Sequence, residues 1–153
     1  IQLFKMENIS NNNSEISKKK IKLDFKDSKY ATGRRKKSIA RVWVKKGSGN
    51  IYVNGLFLKD YFKRPTHQLL VSRPLEVSKV STNYDIKCSV KGGGMSGQAG
   101  AIILGISRAL VNHDNALKKI LKKEKLTTRD SRTVERKKYG HRKARRSFQF
   151  SKR

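Results

Sequence analysis

Between positions 84 and 91 the chain alternates without a break, with Tyr84, Ile86, Cys88 and Val90 on one side and Asp85, Lys87, Ser89 and Lys91 on the other. A strict period of two over eight residues predicts a strand with one buried face. A second alternation sets Ala40, Val42 and Val44 against Ile39, Arg41 and Trp43 and predicts another strand. Gly47-Ser48-Gly49-Asn50 reads as a turn and Ile51-Tyr52-Val53 as the returning strand before Asn54-Gly55, so a hairpin is expected here. Order is expected to begin near Tyr30, with Arg34-Arg35-Lys36-Lys37 preceding the first strand.

The period then changes to that of helices. Leu58 to Phe62 reads as a short helical turn, and Pro65 is placed to open the next helix, where its missing N–H is harmless. That helix is expected to end before Pro74. Ala99, Ile102, Ile103, Ile106 and Leu110 recur at helical spacing, with Ser96 as the expected N-cap. Gly100 and Gly105 would each weaken an isolated helix by about 1 kcal/mol, so close packing against a sheet is their expected role. Asp114 is expected to cap a second helix with Leu117, Ile120 and Leu121 inside and Lys118, Lys119, Lys122 and Lys123 outside. From Thr127 apolar periodicity stops. The organisation predicted is a polar extension over residues 1–29, a globular domain over 30–126 and an extended basic tail over 127–153.

Charge alters this picture of an ordinary small domain. The 153 residues carry 38 Lys and Arg against 11 Asp and Glu, a formal charge of +27. It divides as +3 over residues 1–29, +15 over 30–126 and +9 over 127–153, so the body itself is a polycation. Self-repulsion on this scale disfavours a compact monomer unless a polyanion screens it, which makes nucleic acid the expected partner and a membrane surface the weaker one. The longest run of small and apolar residues, Ala99 to Ile106, is far short of the ~20 needed to span a bilayer. The single cysteine, Cys88, excludes an internal disulfide and a cysteine metal cluster. Residues 1–29 hold Ser10-Asn11-Asn12-Asn13-Ser14, Lys18-Lys19-Lys20 and no arginine. That stretch reads as disordered or draped on RNA and unlike an intact transit peptide. Since the first residue is not Met, a presequence already removed, or a numbering that starts inside the gene product, are the expected explanations.

Candidate chemistry is sparse. Gly92, Gly94 and Gly97 form G-x-G-x-x-G after a strand and before a helix, the context of a dinucleotide fingerprint. That fold also needs a further parallel strand and an acid about 20 residues on to hold the ribose, and Leu117 stands there. The same glycines suit a phosphate held by backbone N–H groups, or a tight turn that needs glycine dihedrals. His67, His113 and His141 are scattered, Cys88 reads as core, Asp85 points outward, and no carboxylate pair invites acid–base work. No catalytic residue, metal or cofactor is expected. Tyr139, Phe148 and Phe150 interleave with the basic runs, as rings that stack on bases do.

The motifs YATGRRKKSIARVWV at 30–44, VNG at 53–55, KGGGMSGQAGAI at 91–102, GISRAL at 105–110 and RDSRTVERKKYGHRKARRSFQFSKR at 129–153 follow one another in order. Together they strongly resemble the bacterial-type ribosomal protein S nine family of the small subunit. The resemblance implies an α+β domain of the kind named after the second domain of ribosomal protein S five, with a left-handed βαβ crossover where general rules favour the right hand. It implies a structural, non-enzymatic protein in the subunit head, on the 3′ major domain of the rRNA, beside other head proteins. It puts rRNA contacts on Arg34, Arg35, Lys36, Lys37 and Arg41, on Gly92, Gly93, Gly94, Ser96 and Gln98, and along the tail on Arg129, Arg132, Arg136, Lys137, Lys138, Arg142, Lys143, Arg145 and Arg146. It puts peptidyl-site tRNA contacts on Gln149, Ser151, Lys152 and Arg153. Ile103 departs from the pattern, standing where bacterial members often carry a basic residue. The YATG, RVWV and ARRSFQFSKR wording looks most like alphaproteobacterial members. In an Asn- and Lys-rich chain it implies a mitochondrial ribosome, with a bacterium or plastid as the alternative. A free RNA-binding module, and a dinucleotide-dependent enzyme built on the glycine loop, are the competing functions; neither a membrane nor a small-molecule substrate is expected.

Overall fold

The computed structural model describes residues 25–80 and 83–151. Its elements in chain order are β1 (Lys29–Arg35), β2 (Ser38–Lys46), β3 (Ile51–Val53), β4 (Leu56–Phe57), α1 (Leu58–Tyr61), α2 (Pro65–Val77), β5 (Tyr84–Lys91), α3 (Met95–His113) and α4 (Leu117–Lys123). The architecture is α+β, as expected: a five-stranded mixed sheet in the order β1-β2-β5-β3-β4. The two alternating strands are where the pattern put them. Ala40, Val42 and Val44 on β2 are fully buried, as is Ile86 on β5, with Cys88 and Val90 nearly so.

β1 went unrecognised in the sequence, and it carries Arg34 and Arg35. It pairs antiparallel with β2 from Lys29↔Val44 to Arg35↔Ser38 through a tight turn at Lys36-Lys37. Its buried side is made of small residues, Ala31 and Gly33, so no apolar alternation marks it. Gly33 and Gly105 are where β1 meets α3: a Cβ on Gly33 would collide with the Ala101 carbonyl and the Gly105 amide, and one on Gly105 would lie 2.5 Å from Val42 Cγ2. Close packing is thus the role of Gly105, as expected. The free edge of β1 is covered by the same helix, with Arg108 and Asn112 donating to the Thr32 and Tyr30 carbonyls at 3.2 Å each.

The expected hairpin between β2 and β3 does not form. β5 lies between them, antiparallel to β2 over Ile39↔Lys91 to Lys46↔Tyr84 and parallel to β3. The eight-residue β5 offers β2 a long ladder, whereas β3 offers three residues. The 47–50 segment reverses the chain across the end of β5 without pairing β2 to β3, held by the Asp85 carboxylate, which accepts the Ser48 and Asn50 N–H groups at 3.0 and 2.9 Å. The turn that does close a hairpin after β3 is Asn54-Gly55, both at positive φ (51° and 85°), joining β3 to β4. This is the conformation that matches strand twist.

Three helical expectations also change. α2 starts at Pro65 but runs through Pro74 to Val77. Pro74 is fully buried, and its carbonyl accepts both the Ser78 N–H and the Ser78 hydroxyl. Packing and that cap outweigh the one intrahelical bond a proline forfeits. The N-cap of α3 is Gly94, two residues before Ser96, because the hydroxyl of Ser96 is turned to His67 Nε2 at 3.2 Å. On α4, Leu121 is fully buried and Leu117 partly so, but Ile120 is 47% exposed, since a seven-residue helix lying on the domain edge buries only one narrow stripe. Asp114 does cap the turn into α4, accepting the Ala116 N–H at 2.9 Å. Among the described residues no helix is long and apolar enough to cross a membrane, and none of residues 127–151 lies in a helix or strand.

Cys88 is 1% exposed, and burial pushes its thiol well above the ordinary 9.0. In the unfolded chain the thiol ionises first, so Cys88 has no pH effect at neutrality and withdraws stability as pH rises above about 9. Urea melts of the wild type and Cys88→Ala across that range are expected to converge as pH rises; parallel stability curves would contradict a buried neutral thiol.

Candidate nucleic-acid interface

Three separate stretches of chain meet around one groove of about 650 Å³. The β1–β2 turn contributes Lys36, held at φ 52°. The α1–α2 connection contributes Lys63 and Arg64, α2 contributes His67, and the glycine loop with the first turn of α3 contributes Gly94, Met95, Ser96 and Gly97. Lys63 and Arg64 carry no sequence signal of their own, since they stand outside any basic run. Only the fold brings them beside Lys36.

The glycine loop is built by β-strand ends and polar side chains beneath it. Gly92 and Gly93 have φ of 72° and 62°, the left-handed region that favours glycine. The Gly92 carbonyl accepts from the Ser38 hydroxyl at 3.0 Å and from the Gln98 amide at 3.2 Å. Gln98 Oε1 in turn accepts the Tyr61 hydroxyl at 2.8 Å. Asn54 braces the strand before it, accepting the Val90 N–H at 2.8 Å and donating to the Val90 carbonyl at 3.1 Å.

Packing explains three of the four glycines. A Cβ on Gly92 would lie 2.6 Å from the Lys37 carbonyl, one on Gly97 2.7 Å from Ser38 Oγ, and one on Gly93 would strike the same Ser38 hydroxyl. Gly92, Gly93 and Gly97 are thus accounted for by contacts within the protein. Gly94 is different, with open space beside it. It is also the N-cap of a 19-residue helix that no side chain caps. The first N–H groups of such a helix lack intrahelical acceptors and carry the positive end of its dipole, so an anion in this groove meets backbone donors and cations together.

The remaining candidates divide by what they touch. Arg34, Lys36 and Lys37 are exposed. Arg35 donates to the Ser96 carbonyl at 3.4 Å and pairs with Asp130 at 3.3 Å, tying the start of the tail to the glycine-loop side of the domain. Arg41 is on the outer face of the sheet, away from the groove, over the rings of Tyr30 and Trp43. In the tail, Arg132 holds Asp130 through two contacts at 3.0 Å, and its side-chain and backbone hydrogen bonds keep that carboxyl well below the usual carboxylate range. Arg145 grips Glu135 at 2.9 and 3.1 Å. Both arginines remain more than 80% exposed, and solvent screens such pairs strongly, so a phosphate can displace either carboxylate. Arg142 lies 5.5 Å from the Phe148 ring centroid. Arg129, Arg136, Lys137, Lys138, Lys143, Arg146, Gln149 and Ser151 are exposed, while Lys152 and Arg153 lie outside the described residues.

Among the described residues no group of three or more His, Cys, Asp and Glu could hold a metal. His67 meets Ser96, and His113 meets the Tyr84 hydroxyl at 3.3 Å. A family model described as Ribosomal protein S9/S16 matches residues 33–153, from the middle of β1 through the whole basic tail.

Proposed function

The chain belongs to the ribosomal protein S9/S16 family, and so to the small ribosomal subunit; from that premise we propose that it is an architectural protein whose cations neutralise closely packed rRNA phosphates. The observation that carries this reading is the groove where Lys36, Lys63 and Arg64 line the N-terminus of α3 at Gly94, which no side chain caps. Three cations and a set of backbone donors around one opening suit a phosphate backbone, and such contacts fix register without reading sequence. The tail, a run of cations that over residues 127–151 lies outside any helix or strand, extends the same chemistry beyond the domain. Arginine forks there can bridge two phosphates bidentately.

The finer parts of the proposal come from the family likeness: a seat in the head on the 3′ major domain, neighbouring head proteins, a left-handed β3–α2–β5 crossover, and a mitochondrial ribosome as host. The domain over 30–126 and the tail over 127–153 are read as separate contact units. Hydroxyl-radical footprinting of reconstituted small-subunit rRNA with the full chain tests the seat. Protection within the 3′ major domain is expected, and protection confined to another domain would overturn it. Fractionation of organelle ribosomes tests the host.

The Gln149 to Arg153 segment is proposed to reach the peptidyl-site tRNA, with Lys152 and Arg153 on backbone phosphates that every tRNA shares. Screening and the other tRNA contacts limit their share. Deleting both residues is expected to weaken tRNA binding by about 1–2 kcal/mol while subunits still assemble. The measurement is the tRNA off-rate from programmed subunits. An unchanged off-rate, or lost assembly, would make the segment an rRNA anchor instead.

A further inference from the structure

Among the described residues the helices pack on one face of the sheet, and the other face carries an ordered row of side chains. Register places Tyr30 opposite Trp43, Trp43 opposite Lys87, Lys87 opposite Tyr52, and Tyr52 opposite Phe57. One residue from each of the five strands thus stands in a single line, two aromatic pairs flanking a lysine. The Tyr30–Trp43 and Tyr52–Phe57 centroids are 5.3 and 5.0 Å apart. Lys87 Nζ lies 6.0 Å from the Trp43 ring and 5.9 Å from that of Phe25. The outer rings are open to solvent, Tyr30 at 43% and Phe57 at 45%.

Cross-strand aromatic pairs stabilise sheets by themselves, which accounts for each pair. It does not account for the charge around them. By strand alternation the described strands place Arg34, Arg41, Lys45, Lys87 and Lys91 on the same face, beside Asp85, whose Oδ1 is committed to the Ser48 and Asn50 N–H groups. Arg41 lies over both rings of the first pair, 5.7 Å from Tyr30 and 5.3 Å from Trp43, the position a stacked base would take.

We propose that this outer face binds unpaired nucleobases of a single RNA strand, the bases stacking on the Tyr30–Trp43 and Tyr52–Phe57 pairs while Arg41 and Lys87 meet the intervening phosphates. Aromatic rings in a basic surround are what a single strand needs, since every base has a π-face and every linkage a negative charge. An incoming base displaces Arg41 from the rings and frees its guanidinium for phosphate or for stacking on the base's far side. The site is distinct from the groove at Gly94, which takes backbone phosphate alone. It rests on the rRNA reading only for the source of the strand.

Trp43 is the single tryptophan of the chain and reports directly on the row. The full chain is titrated with a single-stranded adenosine oligomer of roughly eight nucleotides, with an RNA duplex of equal length, and with polyphosphate of equal charge. The single strand is expected to quench Trp43 and the polyphosphate not to. Tyr30→Leu and, separately, Phe57→Leu are expected to weaken single-strand binding by about tenfold or more without changing polyphosphate affinity. Circular dichroism checks that each variant is folded, and if Tyr30→Leu is not, Phe57→Leu at the far end of the row decides. Equal quenching by polyphosphate, tighter binding of the duplex, or folded variants with unchanged affinity would overturn the proposal. So would Trp43 shielded by a neighbouring protein in assembled subunits. A chain that co-sediments with small subunits in high salt yet fails these titrations loses only the stacking site, whereas failure to co-sediment counts against the ribosomal reading itself.

Discussion

Affinity of the chain for its rRNA fragment is expected to fall about a thousandfold between 50 and 200 mM salt. Each phosphate neutralised by Lys or Arg releases condensed counterions, and neutralising about six gives a slope near −5 in log K against log salt. The exposed cations of the β1–β2 turn, the groove and the tail supply more than enough partners. Replacing Arg34, Arg35, Lys36 and Lys37 together is expected to flatten the slope by about three to four and leave the domain folded, because none of the four side chains is buried and the turn keeps its place. Arg35 also loses its half-buried pair with Asp130. Filter binding over a salt series reads the slope. A slope near zero in the wild type would mean that the charge does not act through phosphates.

Gly33→Ala is expected to destabilise the domain by about 3 kcal/mol or more, lowering its melting midpoint by roughly 12 °C or more. The added methyl meets the Ala101 carbonyl and the Gly105 amide, both backbone atoms of α3, so no side chain can rotate away. Relief requires α3 to move off β1, and that movement opens the contact around Val42, Ile102 and Ile106 at the centre of the core. Gly100→Ala, by contrast, meets only the flexible Arg35 side chain and is expected to be tolerated. Thermal melts of both variants, followed by circular dichroism, make the comparison. Equal midpoints would show that α3 and β1 are less closely fitted than the backbone distances say.

Gly100 and Gly105 mark the limit of reading the chain alone. Both interrupt a helical pattern, and both were expected to serve close packing, yet only the fold shows that Gly105 is fitted against Val42 and the Gly33 amide while Gly100 meets the flexible Arg35 side chain. β1 was illegible for a related reason. Its buried positions are Ala31 and Gly33, chosen for the nearness of α3, so hydrophobic alternation has nothing to register. Pro74 read as a helix end because the local rule is real; burial against the rest of the molecule and the bonds from Ser78 overrode it.

What the sequence determined by itself is whatever depends on one residue or its near neighbours. The period of β2 and β5, the opening of α2 at Pro65, the helical face of α3 and the turn at Asn54-Gly55 are local preferences, and the charge of +27 is a plain sum. The family likeness was legible too, because its motifs are contiguous and lie in order. Tertiary structure alone decided the partners. β5 took the place beside β2 that the nearer β3 was expected to fill, because a long ladder outweighs closeness along the chain. Lys63 and Arg64 came to lie with Lys36 and Gly94, and Tyr30, Trp43, Lys87, Tyr52 and Phe57 came into one row, because strand order and helix packing are settled by contacts between distant segments that no local pattern encodes.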